Sequence, residues 1–288
     1  MKKLGFLLIA TALVVVGCSK QPSSSASSSS SSVTLSSSDQ KQLDKATAQY
    51  KTYVEEQIAQ LLTDTETFRD TLKAGNIDEA KKQYPLIRMS YERSEPLAES
   101  FSELDERIDS RLVDYKKDNQ TEDGWRGFHK IEQILWEQNT TNGTADYADQ
   151  LVNDVKELKA KVATLDVTPQ AMLTGAVDLL NEVADSKITG EEEIYSHTDL
   201  YDFRANIEGA QKIYELLRPL IQNKDKSLVK TLDSEFKTVN SLLDKHMTDD
   251  KHYKSFTELT QKDTKELSEA VAKLGEPLSQ MGIILNGN

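Results

Sequence analysis

The segment GWRGFHKIEQILW, residues 124–136, combines a helical apolar pattern with two chemically active side chains. Phe128 and Ile131 recur at helical spacing, and His129 lies three residues before Glu132 on the neighbouring stripe. Residues three apart lie one turn apart on a helix, so the imidazole and the carboxylate converge on one point. A buried pair of this kind is costly without a partner. The segment therefore predicts a helix whose His and Glu bind each other, an arginine or a metal ion.

Apolar residues at helical spacing continue through most of the chain. Glycine and proline are scarce, at 12 and 6 of 288 residues, and only 7% of the residues are aromatic. This composition is typical of long amphipathic helices rather than of a sandwich or barrel, and no segment predicts a strand. About eight helices are expected beyond residue 40. We therefore expect an all-α fold of two up-and-down bundles, at about residues 41–165 and 166–288.

Breakers and caps predict where the helices begin and end. The first helix is expected over residues 40–73. Pro96 marks a bend, and beyond it one continuous helix is expected to about residue 117. The segment with His129 and Glu132 is expected to form a helix over residues 124–137. Pro277 is expected to start a short terminal helix.

The N-terminus has the pattern of a bacterial lipoprotein signal. Lys2 and Lys3 precede an apolar run that ends at Cys18, the single cysteine of the chain. Residues 1–18 are therefore expected to be a signal peptide with a lipobox, and Cys18 to carry the lipid. The Ser-rich residues 19–40 predict a disordered tether. On this interpretation the protein is anchored to the cell membrane by its lipid and faces the extracytoplasmic side. The alternative is an ordinary secreted protein with an incidental cysteine.

The chain is acidic, with a net charge of −13 and a sequence pI near 4.9. This charge argues against nucleic acid and against anionic membrane surfaces as partners. It suits the binding of cations, although a soluble protein can also be acidic without binding any.

Three acidic segments accompany the His–Glu pair: YERSEP (residues 91–96), LDERIDSR (104–111) and GEEEIYSHTD (190–199). Glu92 and Glu95 share a helix face, and Asp105 and Asp109 flank an apolar stripe. Carboxylates and a histidine from several helices are how helical bundles build iron or manganese sites. Each segment alone is more often a solvated helix face, and the aspartates also have arginines near them to pair with.

The same segments, in this order, carry a resemblance to a known family. YERSEPLAESFSELDERIDSR, WRGFHKIEQILW and KITGEEEIYSHTDLYDFRANIEGA are similar to the imelysin-like family and, more narrowly, to the EfeO and EfeM proteins of the Efe-type iron-uptake system. The resemblance covers the chain from about residue 40 onward. It implies a pair of four-helix bundles with a metal site in a cleft between helices.

Carried over motif by motif, the resemblance implies a set of metal ligands: Glu92, Glu95, Asp109, His129, Glu132 and Glu193. Glu132 would either bind the metal or orient His129, and the choice among Glu191, Glu192 and Glu193 stays open. The implied cargo is ferrous or ferric iron, with other divalent metals as alternatives. The implied partners are an iron permease and a haem peroxidase of the Efe type, and no enzymatic activity is expected.

Two other functions stay open at the level of sequence. The imelysin-like family has been classed with peptidases, but neither His-Glu-x-x-His nor its inverted form occurs, since Gln133 follows Glu132. Alternatively, the cleft could bind an extracellular polymer or another solute through the arginines in or near the motifs, which are Arg88, Arg93, Arg111 and Arg204.

Overall fold

The longest helix of the described chain is α1 (Ser37–Lys73), in a computed structural model that describes residues 35–185 and 187–286. Its first turn is capped by Ser36, whose hydroxyl accepts the N–H of Asp39 at 3.1 Å. Because of this cap, the last four residues of the predicted tether, 37–40, are helical. The signal segment with Cys18 and the rest of the tether up to residue 34 lie outside the described residues.

The remaining helices follow in chain order: α2 (Ile77–Glu92), α3 (Glu95–Ala98), α4 (Ser102–Asp109), α5 (Leu112–Asn119), α6 (Phe128–Glu137), α7 (Ala145–Thr164), α8 (Pro169–Asp185), α9 (Asp199–Lys224), α10 (Lys226–Asp244) and α11 (Gln261–Asn286). Across residues 35–185 and 187–286 there is no β-strand, only an isolated bridge between Met247 and Tyr253. The predicted all-α class is thus confirmed. None of these helices is long and apolar enough to cross a membrane.

Helix α9 lies at the centre of the packing. It contacts α1, α2, α8, α10 and α11, and α11 also packs against α8 and α10. Helix α7 packs along α1, and the short α6 lies against α2, α4 and α7. Of α9, the face with Phe203, Ile207 and Ala210 is fully buried. The division into two four-helix bundles near residue 166 stays a prediction.

The continuous helix expected from Pro96 to about residue 117 is wrong. The chain forms α3, a 3₁₀ turn, α4 and α5 instead, and Ser110 has extended backbone angles (φ −64°, ψ 125°) between α4 and α5. The indole N–H of Trp125 donates to the Ser110 carbonyl at 2.7 Å. The break thus arises from a contact with a later segment, which local helix propensity does not contain.

Gly127 moves the start of α6 from the expected residue 124 to Phe128. Gly127 has φ +92°, and a Cβ built on it would fall inside contact distance of the carbonyl oxygens of Arg107 and Ile108. Only glycine adopts this angle and permits this approach without strain. The close approach sets the end of α4, and therefore Asp109, beside the first turn of α6.

The short terminal helix expected to start at Pro277 is also wrong, because Pro277 lies inside α11. The buried stripe of Leu274, Leu278 and Met281 continues on both sides of it. A proline removes one helical hydrogen bond, and the continuous apolar face holds the helix together across that loss.

Substituting Gly127 tests the α4–α6 contact. We expect Gly127→Ala to lower the free energy of unfolding by about 3 kcal/mol or more, because it adds a backbone clash to a left-handed φ. Gly143→Ala is the matched control, since Gly143 has φ +85° with nothing within 4 Å of a Cβ. The control should lose only about 1 kcal/mol. Equal losses in urea unfolding would contradict the importance of the contact.

Candidate metal centre

The fully buried guanidinium of Arg88, on α2, lies at the centre of the acidic cluster. It pairs with carboxylates from its own helix, from α4, from α9 and from the segment that precedes α9: Glu92 at 2.6 Å, Asp202 at 3.1 Å and Glu192 at 3.5 Å, together with Asp109 and Glu193. Such a charge is tolerated in a protein interior only when it is paired. Arg88 thus brings the acidic segments of the sequence to one point.

Lys187 is a second buried cation, with 1% of its surface exposed. Its ammonium lies 2.8 Å from Glu92 and 3.2 Å from both oxygens of Glu95. Asn206 donates to the same two carboxylates, at 2.9 and 2.7 Å. Burial alone would raise the pKa of Glu92, but Lys187 and Arg88 lower it to about 2. Four of the predicted ligands are therefore paired with Arg88 or Lys187, namely Glu92, Glu95, Asp109 and Glu193.

His129 and Glu132 are held together on α6 as the spacing predicts. The imidazole Nδ1 lies 3.1 Å from one oxygen of Glu132. The other oxygen accepts the backbone N–H groups of Tyr195 at 3.0 Å and Ser196 at 2.7 Å. Glu132 is therefore engaged on both oxygens, and its geometry is that of a group that orients His129. With Nδ1 donating to Glu132, Nε2 carries the free lone pair.

Nε2 of His129 is buried and has no hydrogen-bond partner. It faces Asp109 Oδ1 at 3.7 Å and Glu192 Oε1 at 3.9 Å. Two ligands that each lie about 2.1 Å from one metal ion are at most about 4.2 Å apart. The two carboxylate oxygens each meet this condition with Nε2, and one ligand atom from each of the three residues lies within 4.8 Å of the other two. We call Asp109, His129 and Glu192 the donor triad.

All six ligands implied by the resemblance lie in or beside this cluster, but they do not converge on one point. Among the three successive glutamates, Glu191 is exposed and Glu193 lies toward Nδ1, at 4.0 Å from it. The Glu193 side chain also accepts the hydroxyl of Ser196 at 3.0 Å. It is Glu192 that faces Nε2.

Several members of the cluster were not anticipated as site residues, namely Lys187, Asp199, Asp202 and Asn206. A sequence signal existed for two of them. Asp202 and Asn206 are four apart on the most apolar face of α9, where an unpaired polar group would be costly. Lys187 gave no such signal, because a lysine close to several glutamates in the sequence is typical of a solvent-exposed segment.

A cavity of about 330 Å³ leads from solvent to the triad and is lined mainly by carboxylates, among them Glu95, Glu99, Asp105, Asp109, Glu182 and Glu192. We call it the acidic cavity. Of the arginines considered for solute binding, only Arg111 lines it. Arg93 pairs with Glu208 at 2.7 Å, and Arg204 donates to Tyr253 at 2.7 Å. The cavity therefore attracts cations rather than anions.

Asp199 allows the electrostatics of the cluster to be tested without touching the triad. Burial raises the pKa of its carboxyl from 3.8 to about 6, although the backbone N–H of Glu193 donates to it. The folded state therefore takes up this proton first as the pH falls. The resulting stability is fully present below about pH 3.8 and is lost as the pH rises through 6.

We expect Asp199→Asn to reduce the loss of stability between pH 4 and pH 6 by up to about 1.4 kcal/mol per pH unit. The amide oxygen still accepts from Glu193, so the hydrogen bond stays. Unfolding in urea across this pH range measures the effect. Asp250→Asn, at an exposed carboxylate between α10 and α11, should leave the slope unchanged, and an equal change there would contradict the assignment.

Comparison with known proteins places the chain in a family. The imelysin family model matches residues 46–281. An Efem/EfeO family lipoprotein of Staphylococcus haemolyticus is 50% identical over 287 residues, covering 99% of each chain. One from Staphylococcus aureus strain MSSA476 is 51% identical over 244 residues, covering 84% of this chain and 86% of that protein. The chain belongs to the imelysin family and, within it, to the Efem/EfeO family of lipoproteins.

Proposed function

We propose that this protein captures iron outside the cell membrane at the donor triad and delivers it to an iron permease of the Efe type. The observation that carries the proposal is the buried, unpartnered Nε2 of His129, which faces Asp109 and Glu192. Membership in the Efem/EfeO family supports iron as the cargo. A haem peroxidase of the Efe type is the second partner that we propose. The lipoprotein name of the relatives supports an anchor at Cys18.

The balance of buried charge supports a cationic cargo. Among the described residues, the buried cations of the cluster are Arg88 and Lys187. Its buried carboxylates are more numerous, namely Glu92, Glu95, Glu132, Glu192, Glu193, Asp199 and Asp202. Burial raises the pKa of Glu95, Glu193 and Asp202, so the metal-free cluster retains protons. A metal ion would supply the missing positive charge and displace protons, and its affinity falls on acidification.

The donor chemistry narrows the cargo. Two carboxylate oxygens and one imidazole nitrogen suit ferrous or ferric iron, and also manganese or zinc, better than copper(I), which prefers sulfur. The acidic cavity gives a hydrated cation a path along carboxylates to Asp109 and Glu192.

Binding fits this site better than hydrolysis. A metallopeptidase needs a carboxylate free to act as general base beside the metal-bound water. Glu132 has both oxygens engaged, by His129 on one and by two backbone N–H groups on the other. Glu132 therefore does not supply the general base that a metallopeptidase needs, although the matching imelysin model is named as a peptidase family.

Metal titration of the full chain in detergent tests the proposal. We expect the wild-type protein to bind iron, and Asp109→Asn or Glu192→Gln to lower the affinity at least about tenfold, because each removes one charged ligand. Glu191→Gln is the matched control, as it removes the adjacent exposed glutamate. Calorimetry with ferrous, manganese and zinc ions, and ferric ion supplied from a weak chelate, measures the affinities. Absence of binding, or an equal loss at Glu191, would contradict the proposal.

Lys187 provides a second test with the opposite sign. Lys187→Met removes a positive charge that binds Glu92 and Glu95, so we expect the affinity for metal to rise about tenfold or more. The metal-free protein should lose about 3–5 kcal/mol of stability, because buried carboxylates lose their partner. Urea unfolding with and without metal measures both effects. Lys130→Met, which alters a half-buried lysine beside Trp125, is the control, and a lower affinity in Lys187→Met would argue against the proposed balance.

A further inference from the structure

The donor triad is bordered by a second cavity of different chemistry. This cavity of about 480 Å³ is lined by Leu112, Val113, Ile194 and Tyr195 together with the titratable side chains of Arg111, Lys116, His129, Glu191 and Glu192. We call it the apolar cavity. Its volume is that of a pocket for a small organic molecule. Because it contains both His129 and Glu192, a molecule bound there would lie beside a metal held by the triad.

Apolar side chains of this cavity are exposed to water, which costs free energy, and the binding of a metal ion alone would not cover them. Val113 is 65% exposed and Ile194 54% exposed. Among the described residues they are two of the four large hydrophobic side chains that are exposed, the others being Leu86 and Ile283. A hydrated cation gains nothing from apolar walls, whereas an organic ligand would cover them.

Two cations at the cavity add a requirement for negative charge. Arg111 pairs with Asp114 at 2.7 Å, and Lys116 pairs with Glu122 at 2.6 Å. Both carboxylates are exposed, at 42% and 62% of their side-chain surface, so these pairs contribute little and can exchange for another anion. Nη1 of Arg111 is buried without a hydrogen-bond partner, although Glu192 lies 3.6 Å away.

The two cavities share Arg111 and Glu192, which therefore form the wall between them. On one side of this wall are carboxylates that attract a hydrated cation. On the other side are apolar groups, the cations Arg111 and Lys116 and the exposed carboxylate of Glu191. An organic anion with an apolar body would pair with the two cations and cover the apolar groups. A site with only the metal as its cargo would need the first side alone.

Building on the proposed function, we propose that the apolar cavity binds a small aromatic hydroxy-acid anion that coordinates the captured metal at the same time. Its carboxylate and phenolate oxygens would fill metal positions that the donor triad leaves open. Its ring would lie against Leu112 and Ile194, and its negative charge would face Arg111 and Lys116. The protein thus takes its cargo as a complex of metal and chelator, with ligands from both.

Salicylate is a suitable probe, because one ring carries a carboxylate and a phenol. Calorimetry would titrate it into the full chain in detergent, both metal-free and loaded with ferric ion. We expect the loaded protein to bind salicylate at least about tenfold more tightly than the metal-free protein. Acetate, which has the carboxylate but no ring, should bind at least about tenfold more weakly than salicylate.

Variants separate the cavity from the triad. We expect Val113→Ser/Ile194→Ser to lower salicylate affinity about tenfold and leave the affinity for metal alone within about twofold. Leu86→Ser/Ile283→Ser is the matched control, since it replaces the other two exposed hydrophobic side chains, and should change neither affinity. Lys116→Gln should weaken salicylate binding without changing metal binding.

The outcomes distinguish this inference from the proposed function. If metal alone binds but salicylate binds equally with and without it, or if the control weakens salicylate as much as the cavity variant, the inference is overturned and the capture function stands. If ferric ion binds only when salicylate is present, the inference is supported. If neither ferric ion nor ferric salicylate binds, both proposals fail.

Discussion

The buried guanidinium of Arg88 is the interaction on which the rest of the site depends. A buried arginine without partners would cost several kcal/mol, and one paired on several sides must draw those partners to itself. Its partners come from α2, α4, α9 and the segment before α9. The positions of these elements are therefore coupled, because an acidic segment that moves away removes a partner from the buried charge of Arg88.

Pairing by Arg88 and Lys187 does not neutralise the cluster, and the proposed capture of a cation depends on this incomplete compensation. Protons and metal ions compete for the remaining negative charge, since burial raises the pKa of several of these carboxyls. A fully neutral cluster would be more stable without metal but would bind metal weakly. A cluster without Lys187 would bind it more tightly and release it less readily. On the proposed function, Lys187 therefore sets a compromise between the capture of the metal and its release.

Helix periodicity predicted most of the fold, because the buried stripes of α1, α7 and α9 are local properties of the chain. The His129–Glu132 pair was predictable for the same reason, as three residues make one turn. The break at Ser110 was not, since it depends on Trp125 and on the close approach of Gly127. The choice of Glu192 over its neighbours was not predictable either. It depends on a turn that points three successive glutamates in three directions, toward solvent, toward Nε2 and toward Nδ1.

The state of Glu132 links this geometry to the type of function. The same His-x-x-Glu spacing can serve a hydrolase, in which the carboxylate must accept a proton from water, or a binding site, in which it must hold the imidazole still. Two backbone N–H groups of the segment before α9 occupy one oxygen of Glu132, and Nδ1 of His129 lies against the other. Since the same segment carries Glu192, the contacts that prevent Glu132 from acting as a base also bring the third donor to Nε2. On the proposed function, the segment that brings Glu192 to Nε2 thus also fixes the His129–Glu132 pair for binding rather than for hydrolysis.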